Sequence, residues 1–132
     1  MTPEESIGRA LKSVGVPCGH WPYTDRLDGV VIGYRPRADD FGQSAGNRPV
    51  RVQVTYDLVI IRTRDALKKA ETTRFALYDA LRKAGWRIGD LGPETYVAEQ
   101  KRHYWPLSAT RGFGLDANGQ PYDLTAKEDD KG

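Results

Sequence analysis

The chain has 132 residues, with 20 Lys and Arg against 18 Asp and Glu and a formal net charge of +2. This length suits one domain, and no apolar run approaches the roughly 20 residues of a membrane-spanning helix. The small net charge argues against a protein that holds nucleic acid mainly by neutralising phosphates. The N-terminus lacks the basic start and apolar stretch of a secretory signal, so we expect a soluble, cytoplasmic protein.

A first helix is predicted to begin at Thr2, whose hydroxyl can accept an unpaired backbone N–H of the first turn. Pro3 suits the first helical position, and the two glutamates that follow face the positive end of the helix dipole. Apolar residues then recur at helical spacing, and Gly15 and Pro17 end the segment. The apolar positions are Ile7, Leu11 and Val14.

Two strands are predicted in the first half of the chain, separated by a long loop. Residues 30–32 favour a short strand that ends near Pro36, because proline withdraws a ladder donor. Residues 37–49 contain few strand formers and predict an irregular hairpin loop. From 50 to 60, apolar and polar residues alternate as in a strand with one buried face, and Val59 and Ile61 suggest cover on both faces at its far end.

A long second helix is predicted over residues 65–84, closed by Gly85. Its core-facing residues recur with the helical rotation of about 100° per residue and form one stripe. The stripe consists of Leu67, Ala70, Leu77, Leu81 and Ala84. Phe75 lies well away from this stripe, among charged residues and one turn from Tyr78, so we expect an exposed aromatic that is suited to a partner. Packing along neighbouring lysine stems is the alternative for Phe75.

The remaining sequence predicts extended segments around a turn. Residues 86–88, 96–97 and 103–105 favour strands, residues 89–93 a turn, and the last strand extends to about Phe113. Residues 115–132 are polar and predict a flexible, disordered C-terminal tail. The fold expected is one α+β domain over residues 1–114: an antiparallel sheet of about four strands, two helices packed on one face, and a long hairpin loop.

No enzymatic motif is apparent in this sequence. It contains no phosphate-binding glycine loop, no nucleophile elbow and no paired-cysteine zinc signature. Cys18 and His20 together could form a metal or nucleophile pair but lack further ligands or an orienting carboxylate, and an enzyme with a Cys18 nucleophile is a weak alternative. His103 is better explained as a sheet residue beside aromatics. We therefore expect no catalytic residues, no cofactor and no metal.

The order of several segments resembles a known family. Residues 77–86 read LYDALRKAGW, residues 92–96 read GPETY, and residues 99–104 read EQKRHY before the last strand. Upstream, VGVP at 14–17, WPY at 21–23 and VQVTYDL at 52–58 continue the likeness. In this order they resemble the minor tail or tail terminator proteins, also called tail-completion or head-tail joining proteins, of long-tailed bacteriophages. The stretch 37–47 and the polar tail depart from the family pattern. The subclass therefore stays open among tail terminator, head-tail joining protein and neck protein.

The resemblance implies a non-enzymatic virion protein that forms a ring, expected to be a hexamer, on the last ring of the tail tube. It also implies the major tail tube protein and a head-completion or neck protein as partners, at the tail-head junction of the virion. A ring that closes needs two different patches on each subunit. We expect the helix face around Phe75 and the long loop to be these two patches, with Phe75, Tyr78 and Arg82 in the subunit interface.

Four arginines around the long loop are candidates for a surface that faces the lumen and passing DNA: Arg35, Arg37, Arg48 and Arg51. Scattered solubilising charge is the simpler interpretation. A small nucleic-acid-binding or adaptor domain is the main alternative function, favoured by a sequence pI of about 8.7 and by the aromatic strands.

Overall fold

A mixed α+β architecture is found in the computed structural model, which describes residues 2–21, 29–46 and 48–124. The helices are α1 (Pro3–Lys12) and α2 (Leu67–Lys83), the latter preceded by a 3-10 turn at Arg64–Ala66. The strands are β1 (Cys18–His20), β2 (Val30–Ala45), β3 (Arg48–Thr63), β4 (Arg87–Gly89), β5 (Thr95–Val97), β6 (Arg102–Leu115) and β7 (Pro121–Tyr122). Of the WPY segment at residues 21–23, only Trp21 lies within the described residues. Asn47 lies outside them.

The sheet is larger than the four strands expected from the sequence. The described strands form a seven-stranded sheet in the order β1-β2-β3-β6-β4, with β5 and β7 also paired to β6. Its pairs are antiparallel except for β1, which runs parallel to β2. The additional strands are only two or three residues long, so they give almost no periodic signal in the sequence.

The predicted irregular loop at residues 37–49 is wrong. β2 continues to Ala45 and pairs with β3 up to the register Ala45 with Arg48, so the two strands form one long hairpin. Register shifts lie between Pro36 and Ala38 and again after Asp40. Pairing to the strongly patterned β3 therefore overrides the weak strand propensity of this segment, and the bulges absorb its irregularity.

The start of α1 confirms the prediction from the sequence. The Glu5 backbone N–H donates to Thr2 Oγ1 at 3.1 Å, and the Thr2 backbone N–H donates to Glu5 Oε1 at 3.2 Å. These two bonds make a capping box, and hydrogen bonding of the Glu5 carboxylate to Thr2, chiefly to its backbone N–H, lowers the pKa of Glu5. Ile7 and Leu11 are fully buried, and Val14 is partly buried against the same core.

The main core lies between the helices and one face of β2, β3 and β6. The alternating side chains of β3 point into it as predicted, beside Trp86 and Phe113. Three of the predicted α2 stripe residues, Ala70, Leu77 and Leu81, are buried, and Ala84 packs partly against the core. Leu67 is 50% exposed, so its assignment to the buried stripe is wrong.

The opposite face of the sheet carries a second, smaller cluster. Val31, Val59 and Ile61 are buried there, with Trp21 and Tyr104 packed against them. The prediction that the far end of β3 is covered on both faces is confirmed.

Residues 115–124 do not form the start of a flexible tail. Leu115 ends β6, residues 116–120 turn back, and β7 pairs with β6 in the register Leu115 with Pro121. Asp123 then forms an ion pair with Arg111, which is only 6% exposed. The rest of the predicted tail, residues 125–132, lies outside the described residues.

Candidate subunit interface

Phe75 stands on the solvent side of α2. Its side chain is 60% exposed, while Leu77 and Leu81 face the core from the other side of the helix. Tyr78 contacts it edge to face, with ring centroids 5.9 Å apart and an interplanar angle of 84°. Tyr78 also packs partly against the core, and burial raises the pKa of its hydroxyl. The prediction that Phe75 is off the buried stripe is confirmed, and its role at an interface stays a prediction.

Arg74 links this exposed aromatic pair to the sheet. Its guanidinium carbon lies 4.7 Å from the centroid of the Phe75 ring and 3.7 Å from that of Trp105 on β6. Its Nε atom is buried and makes no hydrogen bond with the described residues. The guanidinium is therefore held mainly by stacking on the two rings, and it forms no ion pair within 4 Å among the described residues, although its charge acts on nearby Glu94.

A cleft of about 260 Å³ lies beside Arg74, between α2 and the loop that precedes β5. Glu94 closes one side and is fixed by Arg62, which donates from Nε at 2.9 Å and from Nη2 at 2.8 Å. The hydrogen bonds and charge of Arg62 lower the pKa of Glu94, and the nearby charges of His103 and Arg74 lower it further. Glu94 thus has its close ion pair with Arg62, while Arg74, across the same cleft, interacts with it only at longer range.

Arg82, the third predicted interface residue, lies one further turn along α2. Its Nη2 is 3.4 Å from Asp79 Oδ1, and Lys83 Nζ is 2.9 Å from the other oxygen of Asp79. Lys83 and then Arg82 lower the pKa of this exposed carboxyl. The structure thus brings Phe75, Tyr78 and Arg82 onto one helix surface, together with Arg74. We call these four residues the α2 patch.

A second concave surface lies under the long hairpin, where β2 and β3 extend past the N-terminus of α1. Its volume is about 350 Å³. Apolar side chains make up most of its lining: Pro3, Pro36, Phe41, Val52, Val54, Leu115 and Pro121. Phe41 is 59% exposed, and Glu4 and Asp39 add two carboxylates to the lining. We call this surface the hairpin cleft.

Glu4 is held in place by donors from three strands. Tyr56 Oη donates to Glu4 Oε2 at 2.7 Å, and Tyr34 Oη donates to Oε1 at 3.5 Å. His20 Nε2 lies 2.5 Å from the same Oε1. Burial, followed by the bond to Glu4, raises the pKa of Tyr56. In contrast, the Asp39 side chain is exposed and makes no hydrogen bond or ion pair with any described residue.

The four candidate DNA-facing arginines are divided between two places. Arg37 bridges Asp57 at 2.5 Å and Asp90 at 2.6 Å, and Arg35 Nε is 3.6 Å from Asp57. Arg35 also lies over the Trp21 ring at 5.1 Å. These two arginines therefore belong to a surface network of opposite charges, in which Arg37 lowers the pKa of Asp90.

Arg48 and Arg51 lie near the end of the hairpin instead. Arg48 Nη1 donates to the Asp116 carbonyl oxygen at 2.6 Å, and Arg51 is exposed in register with Gly114. The structure does not bring the four arginines into one cluster, because the bulged hairpin separates the two pairs along its length.

The polar residues considered for catalysis have structural contacts. Cys18 is partly buried, and burial raises the pKa of its thiol. His103 packs against Tyr96 with ring centroids 4.7 Å apart, and its Nδ1 is 3.5 Å from Glu94. Within residues 2–21, 29–46 and 48–124, no group of three or more His, Cys, Asp or Glu side chains could hold a metal ion.

Sequence reasoning missed three residues of these surfaces: Arg74, Trp105 and Phe41. Arg74 precedes Phe75 directly, so an exposed cation beside an aromatic could have been inferred, but its contact with Trp105 depends on the packing of α2 on β6. Phe41 was hidden within an apparent loop, because the strand assignment of its segment comes from pairing with β3.

Comparison of the chain with models of known protein families and with curated proteins found no match. In the part of the chain that the structure describes, no helix has the length and apolar character needed to cross a membrane.

Proposed function

We propose that this chain is a structural virion protein of a long-tailed bacteriophage that caps the tail tube as a ring. The ring ends tail polymerisation and forms the joining surface to the head. Its partners are further copies of itself, expected to number six, the major tail tube protein, and a head-completion or neck protein. Tail terminator, head-tail joining protein and neck protein are the subclasses consistent with this role.

The observation that carries the proposal is the presence of two unlike surfaces on one subunit. The α2 patch is an exposed helix surface with aromatic and cationic side chains, whereas the hairpin cleft is concave, largely apolar and bordered by carboxylates. A ring built by rotation needs such a heterologous pair, because each subunit presents one patch forward and the other backward. A two-fold dimer needs only one self-complementary patch.

Aromatic and arginine residues are the side chains most often found as anchors in stable interfaces. Phe75, Tyr78, Arg74 and Arg82 supply both types on one helix face. A stable junction of ordinary size buries about 1,600 Å² in total, so further contacts around each patch belong to the interface.

The proposed contact with DNA in the lumen rests on Arg48 and Arg51, since Arg35 and Arg37 are held by Asp57 and Asp90. Charge reversal at Arg48 and Arg51 is expected to reduce retention of DNA in finished particles. Unchanged retention would remove DNA contact from the proposal and leave the capping role in place.

The deciding experiment is deletion of the gene from its phage or prophage, with electron microscopy of the lysate. Overlong or unattached tails beside DNA-filled heads are expected, and restoring the gene on a plasmid should return normal particles. Normal infectious particles after deletion would refute the proposal.

A small nucleic-acid-binding or adaptor domain is the second candidate, favoured by the exposed Arg51 and by Arg48 at the hairpin end. It predicts an affinity for duplex or single-stranded nucleic acid that falls steeply with salt. The ring protein is expected to show only weak binding with a shallow salt slope. The same titration with Arg48→Glu and Arg51→Glu separates local contact by these residues from nonspecific attraction.

A further inference from the structure

The two surfaces described above carry opposite charges, and each has one charged side chain that forms no ion pair within 4 Å among the described residues. In the α2 patch, the buried Nε of Arg74 makes no hydrogen bond with the described residues. In the hairpin cleft, Asp39 is an exposed acid with no ion pair among them, while neighbouring Glu4 already accepts from Tyr56. One surface therefore offers an unpaired cation beside an aromatic ring, and the other an unpaired anion beside an apolar hollow.

We propose that Phe75 of one copy of this chain inserts into the hairpin cleft of the next copy, with Arg74 paired to Asp39 across the junction. This inference rests on the proposed ring function and names the contact that would close the ring. The occupant of the cleft is thus a second copy of the chain.

The size of the cleft suits this occupant. A cavity of about 150 Å³ lined by apolar side chains is enough to bind benzene. The hairpin cleft has about 350 Å³, so it has room for a phenylalanine ring and part of the Tyr78 ring that contacts it. Val52 and Val54 form an apolar floor, and the exposed Phe41 offers an aromatic wall.

Charge favours the head-to-tail contact over pairing of like surfaces. Docking one α2 patch against another would bring Arg74 and Arg82 of both copies together, and like charges across an interface are costly. Docking into the cleft instead places these arginines near Asp39 and Glu4. The cost of desolvating Arg74 is also reduced, because its guanidinium is already stacked on Trp105.

A charge exchange at the two ends of the junction tests the proposal. Asp39→Arg and Arg74→Asp should each reduce ring formation at least tenfold, measured as the yield of capped tails when each variant complements the gene deletion. In the double variant every junction again pairs opposite charges, so most of the yield should return. The matched control is Asp40→Arg, which lies next to Asp39 on the other face of β2 and should complement normally. Circular dichroism of each variant checks that the fold is retained.

Cross-linking provides a direct measurement in the same particles. In a Cys18→Ser background, copies with Ala76→Cys and copies with Gly42→Cys are supplied together and treated with a short bis-maleimide. Both positions are exposed and adjoin Phe75 and Phe41, so the proposed contact itself is kept. Cross-linked pairs that join position 76 to position 42 of different copies are expected. Pairs that join 76 to 76 would overturn the proposal in favour of a two-fold contact.

An intact ring without cross-links would also overturn the proposal, and would indicate that residues 125–132 or another protein fill the cleft. Failure of the inference is distinct from failure of the proposed function. If gene deletion gives overlong tails but the charge exchange has no effect, only the junction is wrong. If deletion gives normal particles, both are wrong.

Discussion

The guanidinium carbon of Arg74 lies 3.7 Å from the centroid of the Trp105 ring, a contact that joins the middle of α2 to β6. The same guanidinium also faces Phe75 at 4.7 Å. This arrangement ties the exposed aromatic of the α2 patch to the rigid sheet, and it leaves the buried Nε without a hydrogen bond inside the described part of the chain.

Replacing Arg74 with alanine should lower the free energy of unfolding by about 1 kcal/mol, because a cation over a partly desolvated aromatic contributes about 0.5–2 kcal/mol. Arg74→Lys should lower it by less, since lysine keeps the charge but loses the planar stacking. Urea unfolding followed by tryptophan fluorescence measures both changes. Equal losses for alanine and lysine would show that stacking of the planar group, rather than charge, holds the contact.

Phe75→Ala should change the free energy of unfolding by no more than about 0.5 kcal/mol, as expected for an exposed position away from the core. The matched control is Leu77→Ala on the buried side of the same helix, which should cost about 2–5 kcal/mol. Thermal and urea unfolding of the two variants gives the comparison, and capped-tail yield measures assembly. A large loss of stability in Phe75→Ala would identify this side chain as part of the folded core.

Glu94→Gln should destabilise the fold by about 3 kcal/mol at neutral pH, because it removes the partner of a nearly buried arginine. Arg62 is only 5% exposed and has a bidentate contact with Glu94. Glu71→Gln is the control, as Glu71 is an exposed acid bordering the same cleft. Urea unfolding at a series of pH values measures the difference.

The effect of Glu94 should depend on pH in a defined direction. Arg62 lowers the pKa of Glu94 in the folded state below its ordinary value of 4.5. The stabilisation is therefore fully present above about that pH and decreases as the pH falls towards the lower, folded pKa. Wild type and Glu94→Gln should converge in stability under acid conditions. If the difference in free energy of unfolding stayed constant down to acid pH, the charge of Glu94 would not be its cause.

Asp123→Ala should destabilise the fold by about 3 kcal/mol, since it leaves the charge of Arg111 buried without its carboxylate. Arg111 is 6% exposed, and its Nη1 also donates to Ser6 Oγ at 2.6 Å. A chain that ends at Leu124 keeps Asp123 and β7. Its free energy of unfolding should therefore lie within about 0.5 kcal/mol of that of the wild type. Differential scanning calorimetry of these two variants separates the roles of residues 115–124 and 125–132. If the two variants were equally stable, the ion pair of Arg111 would not contribute as predicted.

The sequence by itself determined the features that depend on local chemistry. The cap at Thr2 and Glu5, the alternation of β3, most of the buried stripe of α2 and the exposure of Phe75 all follow from neighbours within a few residues. Such signals are read correctly because helical and strand periodicities place side chains on faces regardless of the rest of the fold.

Only the tertiary structure decided the features that depend on distant partners. The segment around Asp39 and Phe41 is a strand because β3 pairs with it, despite its weak strand propensity. Arg62 and Arg111 are buried because Glu94 and Asp123 reach them from other parts of the chain, which no periodic pattern predicts. The hairpin cleft and the contact between Arg74 and Trp105 are likewise products of packing, because their residues are separated in sequence and meet only when the sheet forms.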